Sequence, residues 1–235
     1  MFNKRIICIH SLSDDALPVV KFRKYISSML KLGYKFVSLE EILDVKKQGK
    51  YLHISVDDGY KTCITELLPI LEEYNIKATF FIAPLLLGLP ANHPHLIDNN
   101  CYPKEATMTM EDMLLLHQCG HTIGYHTGTH VNLSTTENAK IAEDFVNGIE
   151  HLRSSGVEVA HFAYPFGFLP GDKSFFEQIL KQSAINYAFT VKWGDVNIDN
   201  CYYVNRVCLG DHEPLIWSIL KTIGAIDFYY NMKNK

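Results

Sequence analysis

The chain has 235 residues, a formal net charge of -4, and 47% hydrophobic against 20% charged residues. That is enough chain for one large α/β domain or two small ones, with the composition of a soluble globular protein. The slightly acidic balance provides no basic face of the kind nucleic acid requires, and no apolar run approaches the roughly 18 residues of a membrane span.

Six cysteines are present: Cys8, Cys63, Cys101, Cys119, Cys201 and Cys208. No two form a C-x-x-C pair, which argues against a zinc ribbon or a thioredoxin-type motif. Several lie in apolar runs and read as buried thiols. The apolar stretch in Met1 to His10 is too short for a signal h-region. It reads as a first strand, and the chain reads as cytoplasmic.

Strand and helix signals alternate from end to end. Ile6 to Ile9 is a short strand. A helix follows from about Pro18 to Leu32, with Val19, Phe22, Ile26, Met29 and Leu30 on one face and Gly33 after it. Lys35 to Leu39 reads as a strand, Leu39 to Lys47 as a short helix, and Leu52 to Val56 as the next strand. Thr62 to Tyr74 has Ile64, Leu67, Leu68 and Leu71 at helical spacing. Ala78 to Ala83 is apolar throughout, as in a buried parallel sheet.

Pro84 to Thr107 is long and irregular and carries His93, His95 and Cys101. It reads as a solvated loop rather than a second metal site. Helices are predicted over Met110 to Cys119, Thr136 to Ser154, Lys173 to Ser183 and Pro214 to Ile223. Strands are predicted over Thr122 to Tyr125, Val159 to Ala163, Tyr187 to Val191 and Val204 to Cys208. Repeated β-α units imply a parallel sheet, open or closed into a barrel. With no linker or internal repeat, residues 1–235 read as one domain. The last segment, Pro214 to Tyr230, has an apolar stripe and reads as a helix closing the barrel.

Chemistry gathers at strand ends. Asp57-Asp58-Gly59 follows an apolar strand, and His126-Thr127-Gly128-Thr129-His130 follows another. Alone, Asp-Asp-Gly reads as a turn. Two adjacent carboxylates raise each other's pKa unless a cation or hydrogen bonds compensate. Imidazoles at i and i+4 can meet at one point if the segment is helical. One carboxylate plus two imidazoles is a three-ligand set for zinc or a similar ion, with positions left open for water and substrate. The second carboxylate is then available as a base. His10 and the Tyr164 to Gly167 turn also follow strands, at the end where α/β barrels build active sites.

These segments resemble the polysaccharide deacetylases of the NodB-homology type, carbohydrate esterase family 4, over nearly the whole chain. The family's T/S-F-D-D-G motif matches Ser55-Val56-Asp57-Asp58-Gly59, with Val in place of Phe. Its H-S/T-x-x-H motif matches His126 to His130. Its R-P-P-Y/F-G motif corresponds to Ala163-Tyr164-Pro165-Phe166-Gly167, a form that resembles the branch containing biofilm poly-N-acetylglucosamine deacetylases. Its L-x-H motif has no clear match, His212 being three residues after Leu209. In that branch the histidine comes from the first strand, where Ile9-His10-Ser11 stands.

The resemblance implies a distorted (β/α) barrel of about seven parallel strands. It implies that Asp58, His126 and His130 bind one divalent ion, zinc first, with cobalt or nickel as alternatives. Asp57 would be the base, His10 the acid, and the Phe166 amide an oxyanion donor. Tyr164, Pro165 and Trp193 are candidate substrate contacts, Trp193 with Asp195 following a late strand where some relatives carry acid-orienting residues. Ala163 stands where the family has an arginine that holds the catalytic aspartate, and Arg206 is the candidate replacement. The implied activity is removal of N-acetyl groups from an amino-sugar polymer or glycan intermediate. The alternatives are an amidase or esterase with another acylated substrate, and a non-catalytic carbohydrate-binding relative. The remaining histidines, His53, His117, His121, His151 and His161, read as surface or hydrogen-bonded core residues.

Overall fold

The computed structural model describes residues 4–46, 48–98 and 104–227. Its frame is a parallel sheet of eight strands: β1 (Lys4–Ile9), β2 (Lys35–Phe36), β3 (Tyr51–Val56), β4 (Ala78–Ile82), β5 (Thr122–Tyr125), β6 (His161–Ala163), β7 (Tyr187–Phe189) and β8 (Val207–Cys208). Seven run in the order β7-β6-β5-β4-β3-β1-β8, and β2 pairs beside the first half of β3. This is the distorted (β/α) barrel expected from the sequence.

Helices cover the outside: α1 (Val19–Lys31), α2 (Leu39–Leu43), α3 (Leu68–Glu73), α4 (Pro94–Asp98), α5 (Met110–Gln118), α6 (Asn138–Ser154), α7 (Lys173–Gln182) and α8 (Leu215–Thr222). None of the described helices is long and apolar enough to cross a membrane.

Side chains alternate between the two faces of each strand. One set, including Ile7, Ile54, Phe80 and Phe162, joins the large core beneath the helices. The other set, including Ile6, Phe81, Ala163, Phe189 and Val204, forms a smaller cluster inside the barrel. This parity decides the site. Asp57 continues the inward row of His53 and Ser55, and Cys8 continues that of Ile6.

Several elements differ from the sequence-based expectation. The helix expected over Thr62 to Tyr74 begins as a π-helical turn at Cys63–Leu67 and becomes α-helical at Leu68. Pro69 sits in the first turn of α3, where a missing N–H is tolerated. β2 is two residues long because β3 is shared: its first half pairs with β2 and its second half with β4. β7 ends at Phe189, and only Val207–Cys208 of the last expected strand pairs with β1. Val204 instead bridges to Phe189, so this one segment touches both ends of the sheet. The region from Pro84 to Thr107 contains a 3-10 turn and α4. Cys101 and residues 228–230 lie outside the described residues. Among the described ones, the exposed His95 and half-buried His93 rings stack on each other and join no metal-type cluster.

Candidate active site

The strand ends open into a cavity of about 470 Å³. Its lining includes His10, Asp57, Asp58, His126, His130 and Phe166. The structure thus brings together six residues that the sequence proposes from four separate segments. Tyr164 also lines it, with its hydroxyl donating to the Tyr202 carbonyl at 3.0 Å. Pro165 is buried and starts the turn that carries Phe166. Trp193 is outside the lining and packs under Lys221, whose ammonium lies 4.9 Å from its ring centroid. His212 is exposed on the loop before α8, whereas His10 stands at the end of β1 on the cavity wall.

His126 and His130 do not share a helical face. They sit on a loop in which Thr127 and His130 take left-handed conformations, with φ 61 and 57. Asp58 (φ 74) and Phe166 (φ 58) do the same. Left-handed backbone at non-glycine residues costs about 1–3 kcal/mol each and persists where its surroundings enforce it. Here the enforcement comes largely from α6. Asp144 accepts from the Gly128 amide at 2.7 Å and from the Thr129 hydroxyl at 2.6 Å. Gly148 of α6 lies so close that an added Cβ would sit 2.4 Å from the Gly128 Cα. In the third motif, Gly167 has φ 71, and an added Cβ there would strike Val191 at 2.0 Å.

The three expected ligands converge. Asp58 Oδ1 lies 3.3 Å from His126 Nε2 and 3.2 Å from His130 Nε2. His126 donates from Nδ1 to the Ala163 carbonyl at 2.8 Å. This bond fixes the ring and turns Nε2 toward the carboxylate. Burial pushes His130 down to about 4, so it is neutral at ordinary pH. Burial alone would raise Asp58, but the positive charge that His130 and His10 carry when protonated favours its ionised form and holds the carboxyl well below the usual range. Asp58 Oδ1 is buried and has no hydrogen-bond partner. Lone pairs converging on an orphaned carboxylate oxygen suit a cation between them. The donor set of one oxygen and two imidazole nitrogens suits zinc or a similar divalent ion.

Asp57 is held differently. Arg206 Nη1 donates to its Oδ1 at 2.7 Å and Nη2 to its Oδ2 at 2.8 Å. Arg206 also donates to Ser55 Oγ and to the Thr190 carbonyl, and its guanidinium sits over the Phe81 ring. Burial favours protonation of Asp57, but the Arg206 charge outweighs it and keeps the carboxyl below its ordinary value. For His10, burial disfavours the imidazolium, whereas the Asp58 and Asp57 carboxylates favour it and prevail, raising its pKa.

Sequence reasoning missed Asp144, Cys8 and Cys208. Asp144 carried a signal, since it is a carboxylate on the apolar stripe of Ile141, Phe145, Gly148 and Leu152. Cys8, whose Sγ lies 3.3 Å from Asp57 Oδ2, carried none beyond being apolar and strand-borne.

Comparison with known proteins agrees with this architecture. A poly-beta-1,6-N-acetyl-D-glucosamine N-deacetylase of Staphylococcus aureus is 27% identical over 200 residues, covering 81% of this chain and 67% of its own. The structure of IcaB from Ammonifex degensii superposes with a TM-score of 0.78 at 22% identity, over 94% of this chain and 96% of that one. A de-N-acetylase from Aggregatibacter actinomycetemcomitans superposes with a TM-score of 0.75 at 20% identity, over 92% and 99%. The profile of the polysaccharide deacetylase family matches residues 44–188. That stretch carries Asp57, Asp58, His126, His130 and the Tyr164 to Gly167 turn, and by this match the chain belongs to the polysaccharide deacetylase family.

Proposed function

We propose that the protein is a metal-dependent hydrolase that removes N-acetyl groups from glucosamine units of a polymer or glycan intermediate. The observation that carries this reading is the division of labour between adjacent aspartates. Asp58 turns an orphaned oxygen toward two imidazoles, while Asp57 is clamped by Arg206. The S. aureus relatives are named for the same bond and sugar.

Asp58, His126 and His130 would hold a divalent ion, zinc, cobalt or nickel. Such an ion, when bound, polarises an acyl oxygen and lowers the pKa of water from 15.7 toward about 7. Asp57 accepts the proton of the attacking water. Its Oδ1 retains a lone pair beyond the one given to Arg206, whereas Oδ2 also accepts from Cys8, and Arg206 fixes the carboxylate plane. The Phe166 amide, carried on a left-handed residue at the rim, is the donor to the developing oxyanion. Such a donor contributes on the order of 3 kcal/mol. His10 protonates the amine nitrogen as the C–N bond breaks, since an amine does not leave as an anion.

A second cavity of about 480 Å³ adjoins the first, sharing Gly167 and Val191. Its lining includes Asn197, Asn200 and Asn205. Each anchors one amide atom to backbone, Asn197 at Asp199 N–H, Asn200 at Tyr202 N–H and Asn205 at the Asp195 carbonyl. The other amide atoms are donors and acceptors of the kind that hydroxyls and acetamides pair with, which supports a substrate longer than one sugar.

The test is metal content together with acetate release from N-acetylglucosamine oligosaccharides, with and without chelator. The expected result is about one divalent ion per chain and acetate release that chelator abolishes and metal restores. A protein that takes up metal but releases no acetate from any N-acetylated oligosaccharide, while cleaving simple acyl esters or amides, would move the assignment to another acylated substrate. One that takes up no metal after loading would overturn the ligand set.

A further inference from the structure

Two cysteines stand at the site, and the chemistry proposed above uses neither. Cys8 and Cys208 occupy paired positions on the neighbouring parallel strands β1 and β8. Neighbouring strands run roughly 4.8 Å apart, within the ~4.4–6.8 Å Cα separation at which a disulfide closes without large backbone movement. The surroundings of the two thiols differ. Cys8 is fully buried and its Sγ donates to Asp57 Oδ2 at 3.3 Å. Cys208 lines the cavity, so it can be reached from solvent. The neighbouring Cys8 thiol and the nearby His10 and Arg206 charges draw its thiol down to about 7, and the thiolate is the form that attacks oxidants.

We propose that Cys8 and Cys208 form an oxidisable dithiol, a reversible modification site whose disulfide lowers turnover. The oxidant class is a peroxide. The Cys208 thiolate attacks one peroxide oxygen, the O–O bond breaks, and hydroxide leaves, giving a sulfenic acid. The Cys8 sulfur then attacks the Cys208 sulfur. The S–S bond forms, the S–O bond breaks, and the Cys8 proton departs with the hydroxyl as water. In sum, two thiols lose two electrons and two protons, and one hydrogen peroxide becomes two waters. Cys8 in the disulfide has no proton to offer Asp57. Losing one hydrogen bond to a charged group corresponds to a roughly ten- to hundredfold fall in turnover. This consequence rests on Asp57 being the base, whereas the linkage does not.

The experiment exposes the metal-loaded full chain to hydrogen peroxide, then reads intact mass, a non-reducing peptide map and acetate release. The expected result is the loss of two hydrogens, a Cys8–Cys208 linked peptide, and at least about tenfold lower turnover, all reversed by dithiothreitol. Cys208→Ser and Cys8→Ser each abolish the linked peptide and the response to peroxide, whatever their starting rates. Cys119→Ser and Cys201→Ser, outside the cavity, keep both. Oxidation of Cys208 that never joins it to Cys8, or two thiols left free, overturns the dithiol. A linked pair with unchanged turnover overturns its effect on catalysis. A protein releasing no acetate in any state overturns the proposed function and the claim on turnover with it, while the linkage is still decided by mass.

Discussion

Two arginines are fully buried, and they stand on neighbouring strands: Arg5 on β1 and Arg206 immediately before β8. Each pairs with an aspartate through two guanidinium nitrogens, Arg5 with Asp227 and Arg206 with Asp57. The chemistry of the two pairs is the same and the settings are not. Arg5 lies on the face of β1 opposite Cys8 and reaches the turn after α8, with Asp195 nearby. Arg206 faces the barrel interior, and its partner borders the cavity. A buried ion pair by itself says little about stability, because desolvation offsets much of the attraction. What distinguishes the pairs is whether the carboxylate can reach anything besides its arginine.

Exchanging the residues makes that difference measurable. Asp57→Asn should lower acetate release by roughly 10²–10⁴-fold, the range of general-base loss, with metal content unchanged. Asp227→Asn should leave turnover near wild type but lower stability by up to about 3–5 kcal/mol in urea unfolding, since Arg5 then stays buried with only the partly exposed Asp195 as countercharge. The double exchange Arg5→Met with Asp227→Leu should restore most of that stability and keep activity. The parallel exchange Arg206→Met with Asp57→Leu should fold as well but have no measurable turnover. If the second double variant remains active, Asp57 is not the base.

Smaller effects sharpen the contrast between the site and its scaffold. Asp144→Ala frees the loop that holds His126 and His130. A tenfold to hundredfold weaker metal affinity is expected, the range for groups that support ligands, measured by competition with a chelator. Unchanged affinity would show that packing of Gly148 on Gly128 suffices.

The smallest effect belongs to His53, on the same inward row as Asp57 but deeper in the barrel. Its Nδ1 faces the Val37 carbonyl and its Nε2 the Thr79 hydroxyl. Burial lowers its pKa from 6.5 to about 4. The unfolded chain therefore binds the proton more tightly, and stability present above pH 6.5 is lost as pH falls toward about 4. At pH 5.5 the loss is on the order of 1 kcal/mol in the wild type and should be absent from His53→Gln, so that urea unfolding of the two at pH 7.5 and 5.5 isolates it.

Much of the fold was legible because strand and helix periodicities alternate cleanly, as in the all-apolar Ala78 to Ile82 and the striped α6. The site was legible where its residues are adjacent in sequence. Asp57-Asp58 and His126 to His130 are short motifs, and each follows a strand whose parity turns it inward. The reason given for the histidine spacing was wrong in form: the two rings meet through left-handed backbone, which no helical wheel contains. Arg206 could only be guessed, because it lies 149 residues from Asp57 and the topology alone brings them together. The Cys8–Cys208 pairing is set by register between the first strand and the last, which a single sequence does not encode locally. Trp193 shows the opposite failure, an aromatic residue after a late strand that packs on a helix instead of the cavity.

The segment that touches both ends of the sheet also carries Arg206, between the residue that bridges to β7 and the pair that joins β1. The carboxylate proposed as the base thus obtains its counterion from the seam of the barrel. A chain still being assembled, or one whose seam has come apart while the rest stays folded, holds its aspartates and histidines but lacks the group that orients Asp57. On the proposed mechanism the arrangement is an interlock, in which hydrolytic competence depends on the stitch that closes the barrel.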